Sequence, residues 1–253
     1  MRRTILITGA GSGIGAALAR RLAAPEIALL LHSRGGDAAG RSRLEAVAKS
    51  CRDASAATRI ATGDLAEPGV GAEAVALALE SFGRLDQIVH NAGFADKRPF
   101  AELERGHLEA SLAAMPCAFL EVVKAALPAL AASPCGRVVA VSSFVAHRYE
   151  AGRLFPASAA AKSALEALAR SLAVELGGSG ATVNIVVPGY TRKDEGKLGA
   201  LAKDAWAKVA SLNPQKRLAS QDDIASAIAF LLSDAASHIT GATLPVDGGL
   251  TIG

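Results

Sequence analysis

Aromatic side chains are scarce in this chain. Seven Phe, two Tyr and one Trp make up 4% of its 253 residues, while Ala and Gly abound and let helices lie close against a sheet. Cysteine is rarer still. Cys51, Cys117 and Cys135 stand far apart and form no CxxC pair, which excludes a disulfide framework and a zinc site and suits a reducing, cytoplasmic setting. No apolar run reaches the roughly 20 residues of a bilayer span. "MRRTILITGAG" breaks into glycines too soon for a signal peptide, so no membrane association is expected. Charge of one sign is also missing. The 27 Lys and Arg alternate with 24 Asp and Glu for a net +3, and no basic run carries interleaved aromatics, which argues against a nucleic-acid partner. Linkers, repeats and low-complexity segments are absent, so the chain reads as a single domain, 1–253.

What is there is an alternation. Short apolar runs, "TILIT", "IALLLHS", "RIATGDL", "LDQIVHNAG", "GRVVAVSS", "ATVNIVVPG" and "ATLPVDGG", take turns with segments of helical spacing such as "AALARRLAA", "GAEAVALALESFG" and "AAKSALEALARSLAVEL". Strands that are apolar throughout are buried on both faces. Repeated βα units predict an α/β fold, a doubly wound parallel sheet flanked by helices. The long helix after Lys162 is expected to stop at Gly177 and Gly178. The least regular stretch, 190–214, follows a strand end and is expected to form a substrate lid.

"TGAGSGIG", Thr8–Gly15, lies directly between a predicted strand and a predicted helix. Gly9, Gly13 and Gly15 let the backbone turn tightly and approach a pyrophosphate, and the helix start supplies N–H donors. A plain Gly-rich turn is the simpler alternative, and the strand–helix context weighs against it. At the end of the second strand an acidic residue would bind a ribose 2′-OH. Ser33-Arg34 stands there instead, a hydroxyl and a guanidinium suited to a 2′-phosphate. NADP(H) is therefore favoured. Asp37, in the same loop as Arg41 and Arg43, leaves NAD(H) open.

The glycine motif, "NAG" at Asn91–Gly93, "VSS" at Val141–Ser143, Lys162, "PG" at Pro188–Gly189 and the ending "ITGATLPVDGG" occur in an order that resembles the short-chain dehydrogenase/reductase family over nearly the whole chain. The resemblance implies a Rossmann-type sheet of about seven strands and a nicotinamide cofactor. It implies cofactor contacts at Gly9, Ser12, Gly13, Ile14, Gly15, Ser33, Arg34, Asp64, Leu65, Asn91, Ala92, Gly93, Lys162, Pro188 and Gly189. Asp64 would meet the adenine, Asn91 would brace the central strands, and Lys162 would hold the nicotinamide ribose. It also implies hydride transfer with a small alcohol or carbonyl substrate, and a homotetramer or homodimer.

The same resemblance shows two departures. The family's serine, which polarises the substrate oxygen, falls on Ser143, with Ser142 as its neighbour. The family's tyrosine, four residues before the lysine, falls on Ser158, so the catalytic set reads Ser143, Ser158 and Lys162. A serine hydroxyl is a poor acid near neutral pH. The family's relay asparagine falls on Met115, whose sulfur is a weak acceptor. His147, Tyr149 and Tyr190 are the nearby side chains that could supply a proton, each with the plainer reading of an exposed or packing residue. Two functions stay open on this basis. One is an NADP(H)-dependent oxidoreductase. The other is a cofactor-binding pseudoenzyme. An epimerase on the same fold is weaker, for want of an additional C-terminal domain.

Overall fold

The computed structural model describes residues 2–150, 152, 154–192 and 203–252, with the side chains of 203–206 left aside. Seven parallel strands form one sheet in the order β3-β2-β1-β4-β5-β6-β7. They are β1 (Arg3–Thr8), β2 (Ile27–Ser33), β3 (Ala57–Thr62), β4 (Gln87–His90), β5 (Arg137–Val141), β6 (Thr182–Pro188) and β7 (Thr243–Val246). The order reverses between β1 and β4, which pair through Ile5–Gln87, Leu6–Ile88 and Ile7–Val89. In such sheets the crevice for a ligand opens at this reversal, beyond the carboxyl ends of the strands.

Helices α1 (Gly13–Leu22), α2 (Ala38–Asp53) and α8 (Gln221–Leu232) cover one face of the sheet, where Ile5, Ile7, Leu29, Leu31 and Val139 meet them. Helices α3 (Val70–Phe82), α5 (Ala118–Ala132) and α6 (Pro156–Leu176) cover the other, against Leu6, Leu30, Ile88, Val138 and Ile185. Successive residues of each strand feed opposite cores, so the central strands carry no polar face.

Local chemistry sets the helix ends. Asp37 caps α2, its carboxylate accepting the Gly40 N–H. Ser220 and Asp223 form a reciprocal capping box on α8. Gly83 closes α3 at φ +72°, a conformation that costs glycine little. Helix α6 begins with Pro156 in its first turn and ends at Gly177, but the left-handed residue is Gly180, after one 3₁₀ turn.

One stretch differs from its sequence expectation. Helix α4 (Arg105–Leu112) runs into α5 through a π turn, Ala113–Cys117. Pro116 sits inside it, and the wider turn accommodates a residue that has no N–H to give. The continuous helical stretch Arg105–Ala132 is long and apolar enough to cross a membrane, contrary to the expectation from apolar runs. Its apolar side is spent inside the fold, where Phe119, Val122, Ala126 and Leu130 are buried against the sheet. Residues 193–202 of the expected lid lie outside the described residues. Helix α7 (Lys203–Ala210) follows them. Cys51, Cys117 and Cys135 are free thiols.

Candidate active site

Most of the sequence-predicted site residues lie at or just beyond the carboxyl ends of strands, and Ser158 and Lys162 lie on α6. At β1 the chain turns through Gly9 at φ +68° and Gly13 at φ +60° into α1. A Cβ on Gly15 would stand 2.4 Å from the Gly9 carbonyl oxygen, so only glycine lets α1 approach β1 this closely. Ser12 is the first residue before α1 and makes no side-chain cap, which leaves the helix start open. Ile14 packs on the core. Gly9, Gly11, Ser12, Ser33, Arg34, Asp37 and Arg43 line an open cleft of about 470 Å³. Backbone donors at one end and guanidinium groups at the other suit the phosphates and ribose of a dinucleotide. The Asp37 carboxylate is engaged by the Gly40 N–H at 2.5 Å, and Arg41 donates to the Gly35 carbonyl at 2.8 Å. Arg34 makes no hydrogen bond or ion pair among the described residues.

Beyond β3, Asp64 accepts the Ala66 N–H at 3.0 Å, and Leu65 is buried in the core. His32 is held by Gly63 O at 3.1 Å, and burial pulls its pKa down to about 4. Asn91 bridges β4 to β1. Its Nδ2 donates to Thr8 O at 3.1 Å and to Gly9 O at 3.2 Å, while Thr8 Oγ1 accepts the N–H groups of Asn91 and Ala92, each at 3.0 Å. Pro188 ends β6, and a Cβ on Gly189 would lie 2.8 Å from the Asp247 Cα.

The chemical end lies between β4, β5 and the first turns of α6. Lys162 is 7% exposed and donates to the Val141 carbonyl at 2.6 Å. Burial lowers its pKa to about 8, with the Glu166 carboxylate acting in the opposite direction. A Cβ on Gly93 would stand 3.3 Å from both Lys162 Nζ and Met115 Sδ, which puts Met115 beside the lysine. Ser143 starts a 3₁₀ turn and accepts the Val145 N–H at 3.5 Å. Ser158, one turn before Lys162, is 3% exposed, and its Oγ accepts the Asp96 N–H at 2.8 Å. That bond pins the loop after β4 onto α6. Asp96 in turn binds Arg98 at 2.5 Å.

The other proton candidates are spread out. Tyr149 is 68% exposed, its hydroxyl donating to Ala146 O at 3.4 Å. The Tyr190 ring packs on Phe144 with centroids 4.4 Å apart. His147 Nε2 lies 2.7 Å from Glu166 Oε1. The sequence reading missed Glu166 and Asp96. A Glu four residues after a Lys on a helix looks like a surface pair, and nothing local marks Asp96.

A seven-stranded parallel sheet that reverses its order between β1 and β4, with a glycine-built turn leading from β1 into α1, defines a Rossmann-type fold. A family model described as enoyl-(acyl carrier protein) reductase matches residues 9–251. The cis-4-hydroxycyclohexanecarboxylate dehydrogenase of Sinomonas cyclohexanicum is 38% identical, with 98% of this chain and 96% of that protein covered. Carveol dehydrogenase from Mycobacterium avium, solved in complex with NAD, superposes with a TM-score of 0.90 at 26% identity, covering 99% of this chain and 98% of that one. A blue fluorescent protein from a metagenomic library, solved with NADPH, gives 0.88 at 30% identity, covering 98% and 97%. The chain belongs to the short-chain dehydrogenase/reductase family of oxidoreductases.

Proposed function

We propose that this protein transfers hydride reversibly between NADP(H) and a small alcohol/carbonyl pair. The observation that carries the cofactor choice is the end of β2. Arg34 borders the cleft with no partner among the described residues, beside Ser33, whereas Asp37, the only carboxylate among the cleft-lining residues, is occupied as the cap of α2. A guanidinium in that position favours a 2′-phosphate. When bound, the nicotinamide supplies or accepts the hydride. Gly9, Ser12, Gly13, Ile14 and Gly15 hold the phosphates, Asp64 and Leu65 border the adenine, and Lys162 binds the nicotinamide ribose. Asn91, Ala92, Gly93, Pro188 and Gly189 shape the floor. Ser143 polarises the substrate oxygen.

Ser158 stands where the family has its acid, and its oxygen is engaged by Asp96. General acid–base catalysis is worth about 10²–10⁴-fold. An enzyme without the phenol keeps whatever rate positioning supplies, so slow turnover is the expected behaviour. The relative from Sinomonas, named for a hydroxycyclohexane carboxylate, makes ring alcohols and their ketones the first substrates to try. The outer faces of α5 and α6, with Leu120 50% and Val174 84% exposed, would pair copies of the chain into a homodimer or homotetramer.

The test is a binding titration of NADPH and NADH alongside cofactor oxidation across a panel of ring and chain ketones. Tighter NADPH binding with measurable turnover supports the reading. NADPH binding without turnover on any substrate would favour the pseudoenzyme, and tighter NADH binding would overturn the cofactor choice.

A further inference from the structure

Glu166 has no part in the chemistry just described, yet it gathers the polar groups around it. Its side chain is 3% exposed. Oε1 accepts from Ser142 Oγ at 2.5 Å and lies 2.7 Å from His147 Nε2, and Arg170 donates to Oε2 at 2.7 Å. Ser142 and His147 bracket Ser143 in sequence, one residue before it and four after. Glu166 itself sits one helical turn beyond Lys162, on the same face of α6. A carboxylate is withdrawn from water only at a cost, which these hydrogen bonds offset. The cluster therefore joins the segment that presents Ser143 to the helix that presents Lys162.

We propose that Glu166 is a positioning residue, whose buried carboxylate clamps the Ser142–His147 segment onto α6 and so fixes Ser143 relative to Lys162. The proposal rests on the reading that Ser143 and Lys162 share one chemical site. Its second consequence is electrostatic. The groups facing Lys162 are Glu166 on its own helix, the Val141 carbonyl from β5, the Met115 thioether from the π turn and His90 from β4. Burial drives His90 down to about 3 and keeps it neutral. Among these groups Glu166 is the one carboxylate, and its charge favours the charged lysine. The groups facing Glu166 are Ser142, His147, Arg170 and, one turn back on α6, Lys162.

The sign of the pH effect follows. Lys162 has a folded pKa of about 8, below the ordinary 10.5. It is charged below that value, so ribose binding that needs the ammonium weakens as pH rises through it. Stability moves the other way, rising with pH between the folded and unfolded values, because the unfolded chain holds the proton longer there. Removing the Glu166 charge lowers the folded pKa further and brings the loss of binding to lower pH.

Glu166→Gln keeps an acceptor for Ser142 but removes the charge. Ser142→Ala keeps the charge but removes one bond of the clamp. The Lys162 titration midpoint is read by NMR of labelled lysine in the full-length protein without cofactor, and NADPH affinity is measured against pH. Glu166→Gln is expected to lower the midpoint by about one unit and to shift the affinity profile with it. Ser142→Ala should leave the midpoint in place and lower kcat by up to about 10²-fold, with little change in KM. Glu166→Asp, with the charge kept and the reach shortened, should behave as Ser142→Ala does, and it guards against misfolding of the Gln variant. A purely structural Glu166 would lower the melting temperature of these variants without moving the midpoint. An unmoved midpoint in Glu166→Gln, or an unchanged kcat in Ser142→Ala, overturns the proposal. Should the protein turn over no substrate, the oxidoreductase reading fails while the midpoint still decides the electrostatic role of Glu166.

Discussion

The two halves of the crevice are built differently. The nucleotide half, around β1, α1 and β2, is made largely of backbone. Its geometry depends on residues that must lack a side chain, as at Gly15 under the Gly9 carbonyl. The chemical half, around β5 and the start of α6, is made of side chains. There Lys162 donates to the Val141 carbonyl, Ser158 accepts the Asp96 N–H, and Met115 lies beside the lysine. A backbone site tolerates almost no change at its glycines. A side-chain site can lose one chemical group and keep its fold, because Ser158 fills its position with a structural hydrogen bond to Asp96. Cofactor binding and proton chemistry should therefore fail independently.

The largest effect is expected from Gly15→Ala. The added methyl meets backbone at 2.4 Å, which no rotamer relieves. Overpacking of this kind costs about 1–3 kcal/mol or more, and NADPH affinity should fall below detection along with the melting temperature. A Gly15→Ala protein that binds NADPH normally would break the distinction between the halves. Arg34→Ala comes next. A charge-assisted hydrogen bond is worth about 1.5–3 kcal/mol, so NADPH should weaken by about 10–100-fold with NADH unchanged. Equal weakening of both cofactors would mean that Arg34 supports the loop rather than a phosphate. The smallest effect belongs to the chemical half. Ser158→Ala leaves the buried Asp96 N–H without its acceptor, at a cost of about 1–3 kcal/mol. Denaturant unfolding should register that loss, and NADPH affinity should stay within about twofold, well short of the tenfold that 1.4 kcal/mol represents, because Ser158 is not among the residues that line the cleft.

The fold was legible because burial on both faces leaves a plain record. Runs such as "IALLLHS" carry apolar residues at consecutive positions, and the helices between them keep their spacing. All seven strands fall where those runs lie. The π turn at Ala113–Cys117 was not legible, since a proline in a helical pattern reads as a break rather than as a widened turn. At the site, the glycine motif spoke for itself because glycine has few reasons to recur at that spacing after a strand. Asp37 is ambiguous in the sequence, because a carboxylate that caps α2 and one that faces a ribose look alike there. The bond of Ser158 to Asp96 was not legible, because it joins residues 62 positions apart and depends on the path of a loop. Glu166 was hidden for a similar reason. Its spacing from Lys162 and Arg170 is that of a solvated helix face, and only the packing of the β5 loop buries it.

The central claim is that the nucleotide half is complete and the chemical half lacks one acid. Ser158→Tyr tests it most directly, with NADPH affinity and the single-turnover rate of ketone reduction measured on the same preparation as the native protein. Asp96 loses its bond to the Ser158 hydroxyl in the variant, so a loss of about 1–3 kcal/mol in stability is expected and is followed separately. The account predicts unchanged NADPH affinity and a rate raised by up to about 10²–10⁴-fold, the worth of a general acid, with Lys162 one turn away to depress the phenol pKa. Unchanged affinity with no gain on any ketone that the native protein reduces would contradict it, because the missing phenol would then not be what limits the chemistry.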